Sequence, residues 1–160
     1  MISCCSIIDQ ACRLEVSASR NLSESVNSKI SVSGDHDGKA GLSGKTILIA
    51  EDVWSNYLFV AILLQKRGFR VLHAENGLEA VNMVKSCIVD LVLMDIGMPV
   101  MNGLTATVEI RKFNSCIPII ALSACVFSLD CNEVIACGCN CFLSKPLNSN
   151  VLMEIIVKYL

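Results

Sequence analysis

The chain has no cluster of lysines and arginines and no apolar stretch of membrane-spanning length. Its 13 basic residues are scattered among 15 acidic ones, for a formal net charge of -2. Nothing here forms the basic patch that a direct nucleic-acid partner requires. The longest unbroken apolar run, Tyr57 to Leu64, falls far short of the roughly 20 residues that cross a bilayer. The N-terminus lacks a basic region followed by an apolar core, so no export signal is expected and the cytoplasm is the expected compartment. Histidine occurs only at His36 and His73, and His36 lies in a polar, turn-prone segment rather than on an amphipathic helix. Internal repeats are also absent.

Cysteine, by contrast, is plentiful, with 10 residues. The spacing of Cys131, Cys137, Cys139 and Cys141, with Cys125 nearby, matches none of the paired CxxC patterns of zinc or redox sites. Successive residues of a strand point to opposite faces, so Cys139 and Cys141 share a side only if both are extended. Cys87, Cys116, Cys125 and Cys137 fall within or beside apolar runs, where a reduced cysteine is expected to pack as a small hydrophobe. Without a signal sequence, free thiols are the better expectation.

Apolar residues make up 53% of the chain and charged residues 18%, a balance that a parallel sheet covered on both faces explains. Residues 1–44 hold ten serines together with Gly34, Gly38, Gly41 and Gly44. Such a segment buries too little to offset its ordering entropy, and it reads as a flexible tail or linker, with Met1 to Val16 a candidate short helix. Residues 45–160 then alternate between strand-like and helix-like segments five times. The strands are Thr46 to Ala50, Arg70 to His73, Asp90 to Met94, Pro118 to Leu122 and Cys141 to Leu143. The first helix is expected from Ser55, as its N-cap, to Arg67, with Gly68 as its stop. A second opens at Asn76-Gly77 and runs to Ser86; a third follows the Gly97 to Gly103 loop and ends near Lys112. The last two span Leu129 to Cys137 and Ser149 to Tyr159. Alternation of this kind predicts an α/β fold with right-handed crossovers.

Polar residues follow these apolar strands at set places: Glu51-Asp52 after the first, Asp95 after the third, Ser123 after the fourth and Lys145 after the fifth. In a parallel α/β sheet such residues converge on one crevice. Three carboxylates gathered there repel one another unless a cation sits among them, and hard oxygen ligands suit Mg²⁺. An amine and a hydroxyl beside the cation can hold phosphoryl oxygens. Glu51-Asp52 also stands where a nucleotide-binding domain would place glycines, and two carboxylates repel phosphate where glycines admit it. Asp95, emerging from a buried strand, is placed to attack phosphorus in line and form an acyl phosphate. Taken singly, each has an ordinary reading: an acidic turn or helix cap for Glu51-Asp52 and Asp95, a turn serine, an exposed lysine. Their joint placement, in order, is what points to phosphoryl transfer onto an aspartate.

Lys45 to Leu160 resembles the receiver domain of two-component response regulators and hybrid sensor kinases. The resemblance rests on Ile-Leu-Ile-Ala-Glu51-Asp52, on Asp95-Ile-Gly-Met-Pro99 with Met101-Asn102-Gly103, on Ala121-Leu122-Ser123-Ala124 and on Phe142-Leu-Ser-Lys145-Pro146. It implies a flavodoxin-like, doubly wound sheet of five parallel strands in the order 2-1-3-4-5 with five helices. It also implies Asp95 as phosphoacceptor, with Glu51, Asp52, Asp95 and the Gly97 carbonyl around Mg²⁺. Ser123 and Lys145 would contact the phosphoryl group, and Ser123 and Phe142 would form the switch. The implied partner is a histidine kinase or histidine phosphotransfer protein, and the implied role is a signalling receiver rather than an enzyme. The pattern suits a stand-alone regulator and the C-terminal receiver of a hybrid kinase equally well. Ser123 keeps the hydroxyl of the commoner threonine, and Gly138-Cys139-Asn140-Cys141 replaces the acidic pair many receivers carry before the aromatic.

Two alternatives compete. An aspartate-nucleophile hydrolase needs a second aspartate two residues after the nucleophile, where this chain has Gly97. A receiver-like interaction module that works without phosphorylation would have lost the acidic pair, the acceptor or the lysine, and all of them are present.

Overall fold

The computed structural model describes residues 42–124 and 131–160, with the side chains of residues 131 and 132 left aside. The expected helix at Met1 to Val16, Cys125 and the first residues of the expected fourth helix lie outside the described residues. Five strands, β1 (Thr46–Ala50), β2 (Arg70–Ala74), β3 (Leu91–Asp95), β4 (Ile119–Ser123) and β5 (Cys141–Ser144), alternate with five helices. The helices are α1 (Trp54–Gln65), α2 (Gly77–Ser86), α3 (Gly103–Arg111), α4 (Cys131–Ala136) and α5 (Ser149–Tyr159). All pairings are parallel and the sheet order is β2-β1-β3-β4-β5, so the expected doubly wound α/β fold is the fold observed.

Side-chain alternation along the strands divides the core in two. Leu48, Ala50, Val92, Met94, Ile119 and Ala121 point to one face and pack with Ala80, Val81, Val84, Ala106, Ile110 and Val134 of α2, α3 and α4. Ile47, Ile49, Leu91, Leu93, Ile120 and Leu122 point to the other and meet Val60, Ala61 and Leu64 of α1 and Leu152, Ile155 and Ile156 of α5. With both faces covered, β1, β3 and β4 are near-continuous apolar runs, and each fully buried Leu or Ile contributes roughly 1.5–3 kcal/mol of transfer free energy. Leu42 packs against the α1/α5 layer, and the Gly44 amide donates to the Gly68 carbonyl at 3.0 Å, so the chain is already part of the fold before β1 begins.

Local chemistry sets the helix ends. Asn76 accepts from the Glu79 amide at 2.9 Å, while Glu79 accepts from the Glu75 amide and from the Asn76 side chain, a reciprocal cap. Asn102 caps α3 through the Thr105 amide and Asn148 caps α5. Ser55 is not a cap, contrary to expectation: α1 begins one residue earlier, at Trp54, and Val53, at the cap position, makes no side-chain cap bond. The turn after Glu51 closes through the Val53 carbonyl, which accepts from the Asn56 and Tyr57 amides, and so fixes the helix start ahead of Ser55. Gly68 ends the chain leaving α1 at φ +86, a left-handed conformation that glycine adopts without steric cost.

The cysteines depart from expectation. Cys87 and Cys116 are exposed rather than packed, because each falls in a surface connection, one at the end of α2 and the other between α3 and β4. Cys139 is buried in the α2/α3/α4 layer, whereas Cys141 packs on the α1/α5 layer. Cys139 precedes β5, so the two thiols lie on opposite sides of the sheet and do not form one site. Cys87, Cys116, Cys137 and Cys139 are free thiols.

Candidate functional site

Parallel strands all end on the same edge, and the loops after β1, β3, β4 and β5 bring their polar residues together there. Glu51 follows β1 and is buried to 2% exposure, while Asp52 beside it is exposed. Asp95 is the last residue of β3 and Ser123 the last of β4, each about 6% exposed. Both therefore belong to the strands they were expected to follow. Asp95 pairs with Leu122 in register, which sets Ser123 one residue further along the neighbouring strand.

Lys145, just past β5, reaches across the sheet. Its Nζ donates to Glu51 Oε2 and to Asp95 Oδ2, both at 2.6 Å. The other oxygen of each carboxylate is held by neutral donors. Glu51 Oε1 accepts from Asn56 Nδ2 at 3.0 Å and from the Val53 amide at 3.4 Å; Asp95 Oδ1 accepts from the Gly97 amide at 3.1 Å. Burial by itself would push the Lys145 ammonium down, but hydrogen bonds and charge from Asp95 and Glu51 outweigh it and hold the group above the ordinary lysine range. Lys145 is thus charged at neutral pH. The Lys145-Pro146 peptide is cis, and the Lys145 amide donates to the Ser123 carbonyl at 2.7 Å, tying the lysine to the end of β4.

Glu51, Asp52 and Asp95 each offer a carboxylate oxygen, and these oxygens lie within 4.8 Å of one another. One ammonium against three carboxylates leaves the cluster negative. An all-oxygen set of this size fits a small hard divalent cation such as Mg²⁺, which keeps several waters and takes few protein carboxylates. The structure therefore brings Glu51, Asp52, Asp95 and Lys145 into one crevice, with Gly97 and Ser123 on its rim. Phe142 stands apart from the carboxylates: it is half-buried on β5, paired in register with Ala121, and packs against the α2/α3/α4 layer.

The supporting roles of three residues escape a reading of the sequence. Asn56 fixes Glu51 from the first turn of α1, a contact that depends on where that helix begins. His73, at the end of β2, bonds the Glu51 carbonyl through Nε2 at 2.9 Å; the order of β2 and β1 would have pointed to it. Gly103 packs so close to the Asp95 carbonyl oxygen that any Cβ there would overlap it. That glycine lets α3 start directly beneath the site.

The sequence model of the response regulator receiver domain matches residues 47–157. Over 118 residues the chain is 41% identical to hybrid signal transduction histidine kinase G of Dictyostelium discoideum, a match covering 71% of this chain and 3% of that protein. The chain spans between 3% and 13% of the length of the hybrid and sensor kinases it matches. Among solved structures, it is similar to the receiver domain of a sensor histidine kinase from Pseudomonas aeruginosa PAO1 with a magnesium ion coordinated in the active site cleft. That similarity has a TM-score of 0.69 and 33% identity, covering 73% of this chain and 98% of the other. It is equally similar, at TM-score 0.69 and 30% identity, to a chain in the complex of the Saccharomyces cerevisiae histidine phosphotransfer protein Ypd1 with the Ssk1 receiver domain. There the match covers 74% of this chain and 90% of that one.

Proposed function

Since this chain belongs to the response regulator receiver domain family, we propose that Asp95 is the phosphoacceptor of a two-component phosphorelay. The donor is a phosphohistidine on a histidine kinase or a histidine phosphotransfer protein. The P–N bond to the donor imidazole breaks, an Asp95 carboxylate oxygen forms the new P–O bond, and the imidazole leaves with the electron pair. The observation that carries this reading is the Lys145 ammonium bonded at 2.6 Å to Asp95 Oδ2 and to Glu51 Oε2 in a crevice with a third carboxylate.

Glu51, Asp52, Asp95 and the Gly97 carbonyl would hold Mg²⁺, and the magnesium in the cleft of the Pseudomonas receiver supports that assignment. Bound there, the ion neutralises charge on the incoming phosphoryl group, so that one anion can attack another. Lys145, already charged and aimed at Asp95, meets the phosphoryl oxygens as the carboxylate it holds is consumed. Ser123 donates its hydroxyl to a phosphoryl oxygen from the adjacent strand end. Its movement draws Phe142 inward and alters the surface of α4, β5 and α5, a two-state element biased by one modification.

Residues 45–160 are the receiver domain in this reading and residues 1–44 a linker or tail. The role is that of a signalling switch in the cytoplasm. Among the described residues no helix is long and apolar enough to cross a membrane. The yeast phosphotransfer complex supports the class of partner.

The test is phosphorylation by acetyl phosphate, followed by intact mass. The parent should gain one phosphoryl group only when Mg²⁺ is present, and Asp95→Asn should gain none. A variant that is labelled as readily as the parent overturns the assignment.

A further inference from the structure

We propose that His73 is a positioning residue for the acidic pair, its N–H fixing the peptide that carries both Glu51 and Asp52 toward the cation. The proposal rests on the reading of the site given above.

Glu51 hangs between two contacts from the end of β2. Its amide donates to the Ala74 carbonyl at 3.0 Å, and its own carbonyl lies 2.9 Å from His73 Nε2. A carbonyl oxygen only accepts, so Nε2 carries the proton and donates it. The carbonyl concerned belongs to the Glu51–Asp52 peptide, which is planar. Holding its oxygen therefore fixes both the direction in which Glu51 leaves β1 and the direction in which Asp52 leaves the plane. Glu51 points inward to Lys145 and Asn56, while Asp52 faces solvent. A small rotation of that plane would spread the carboxylate oxygens that now lie within 4.8 Å of one another.

The imidazole is itself held. It stacks on Tyr57 with centroids 3.8 Å apart and planes 20° from parallel, and Trp54 meets it edge-on at 5.7 Å. Trp54 and Tyr57 also touch, at 5.1 Å. Both come from the first turn of α1, so the ring bridges the end of β2 to the start of the helix that follows the acidic pair. A side chain serving only to fill space would need no donor aimed at this carbonyl.

The experiment follows Mg²⁺ binding to the unphosphorylated protein by titration calorimetry, and beside it the rate of phosphorylation by acetyl phosphate as a function of Mg²⁺ concentration. His73→Phe keeps a ring for the stack and removes the donor; His73→Gln restores an N–H at the Nε2 position. His73→Phe should raise the Mg²⁺ concentration at half-saturation about 3- to 10-fold, the range of one net hydrogen bond, while the plateau rate changes little. His73→Gln should return that concentration toward the parent value. A parent-like titration for His73→Phe, or a His73→Gln as impaired as His73→Phe, overturns the proposal. If His73→Phe does not fold, Tyr57→Leu takes its place, removing the plate under the ring; it should weaken Mg²⁺ dependence in the same direction, and an unchanged value overturns the idea. A parent that shows no Mg²⁺-dependent phosphorylation overturns the reading of the site, and this proposal with it.

Discussion

At the scale of single residues, the loop between β3 and α3 concentrates the unusual geometry. Val100 has φ 66 and is 82% exposed. A β-branched residue in the left-handed region is strained by roughly 1–2 kcal/mol, and exposure here returns no burial to offset it. Residues held in such conformations cluster at functional loops, and this one lies between Asp95 and Gly103. Asparagine visits the same region at little cost without adding the backbone freedom of glycine to the unfolded chain. Val100→Asn should therefore raise the unfolding free energy by about 0.5–1 kcal/mol, read from the urea midpoint at unchanged slope. An unchanged or lower midpoint would show that contacts of the valine side chain outweigh the strain. Gly103 is the opposite case, since its φ is ordinary and only the nearness of the Asp95 carbonyl demands a missing Cβ.

At the scale of elements, the proposed switch depends on two adjacent strands. Ala121 pairs with Phe142 and Ser123 with Ser144, so the hydroxyl and the aromatic ring sit two residues apart along the β4–β5 ladder. The Ser123 carbonyl also accepts from the Lys145 amide. A displacement of Ser123 toward a phosphoryl group therefore acts on the β5 end that carries both Phe142 and Lys145. A hydrogen bond to a charged group is worth roughly 1.5–3 kcal/mol, enough to shift two nearly balanced states. Ser123→Ala should accept the phosphoryl mimic beryllofluoride, yet leave the amide NMR signals around Phe142 where they stand in the unmodified protein. If the variant shows the parent's full set of shifts, coupling through the hydroxyl is wrong. Lys145→Ala should also uncouple the switch, because it removes the charge that spans Glu51 and Asp95.

At the scale of the whole molecule, the end of the sheet opposite the crevice is pinned by charge. Lys45, just before β1, donates to Asp90 Oδ1 at 2.8 Å, and Asp90 Oδ2 accepts from the Thr46 amide at 2.8 Å. Burial tends to raise the Asp90 carboxyl, but the Lys45 hydrogen bond, the Thr46 amide and the lysine charge outweigh it and leave it below its ordinary range. A carboxyl whose folded pKa is depressed contributes stability above its unfolded value of about 3.9 and loses it as pH falls through the lower folded value. Asp90→Asn should thus be less stable than the parent at neutral pH. The gap between the two should close as pH drops below about 4, in thermal melts recorded across that window. A gap that stays constant with pH would assign the effect to shape rather than charge.

Much of this molecule follows from the sequence alone because parallel α/β folds write themselves in one-dimensional patterns. Buried strands are short apolar runs, helices carry caps such as Asn76, and the residue leaving each strand is drawn to one edge by the shared direction of the strands. That is why five strands, five helices and the convergence of Glu51, Asp52, Asp95 and Lys145 were legible from local pattern. Strand ends shifted by a residue, as at Asp95 and Ser123, because ladder hydrogen bonds rather than composition set where a strand stops. Other features depended on neighbours that are distant in sequence. The exposure of Cys87 and Cys116, the separation of Cys139 from Cys141 across the sheet, and the start of α1 at Trp54 were decided by packing. So were the Asn56 and His73 contacts with Glu51 and the closeness of Gly103 to Asp95. A sequence carries the identity of the groups and their spacing along the chain; only tertiary contact orients a side chain, because the direction of each carboxylate is set by donors that other strands and helices supply.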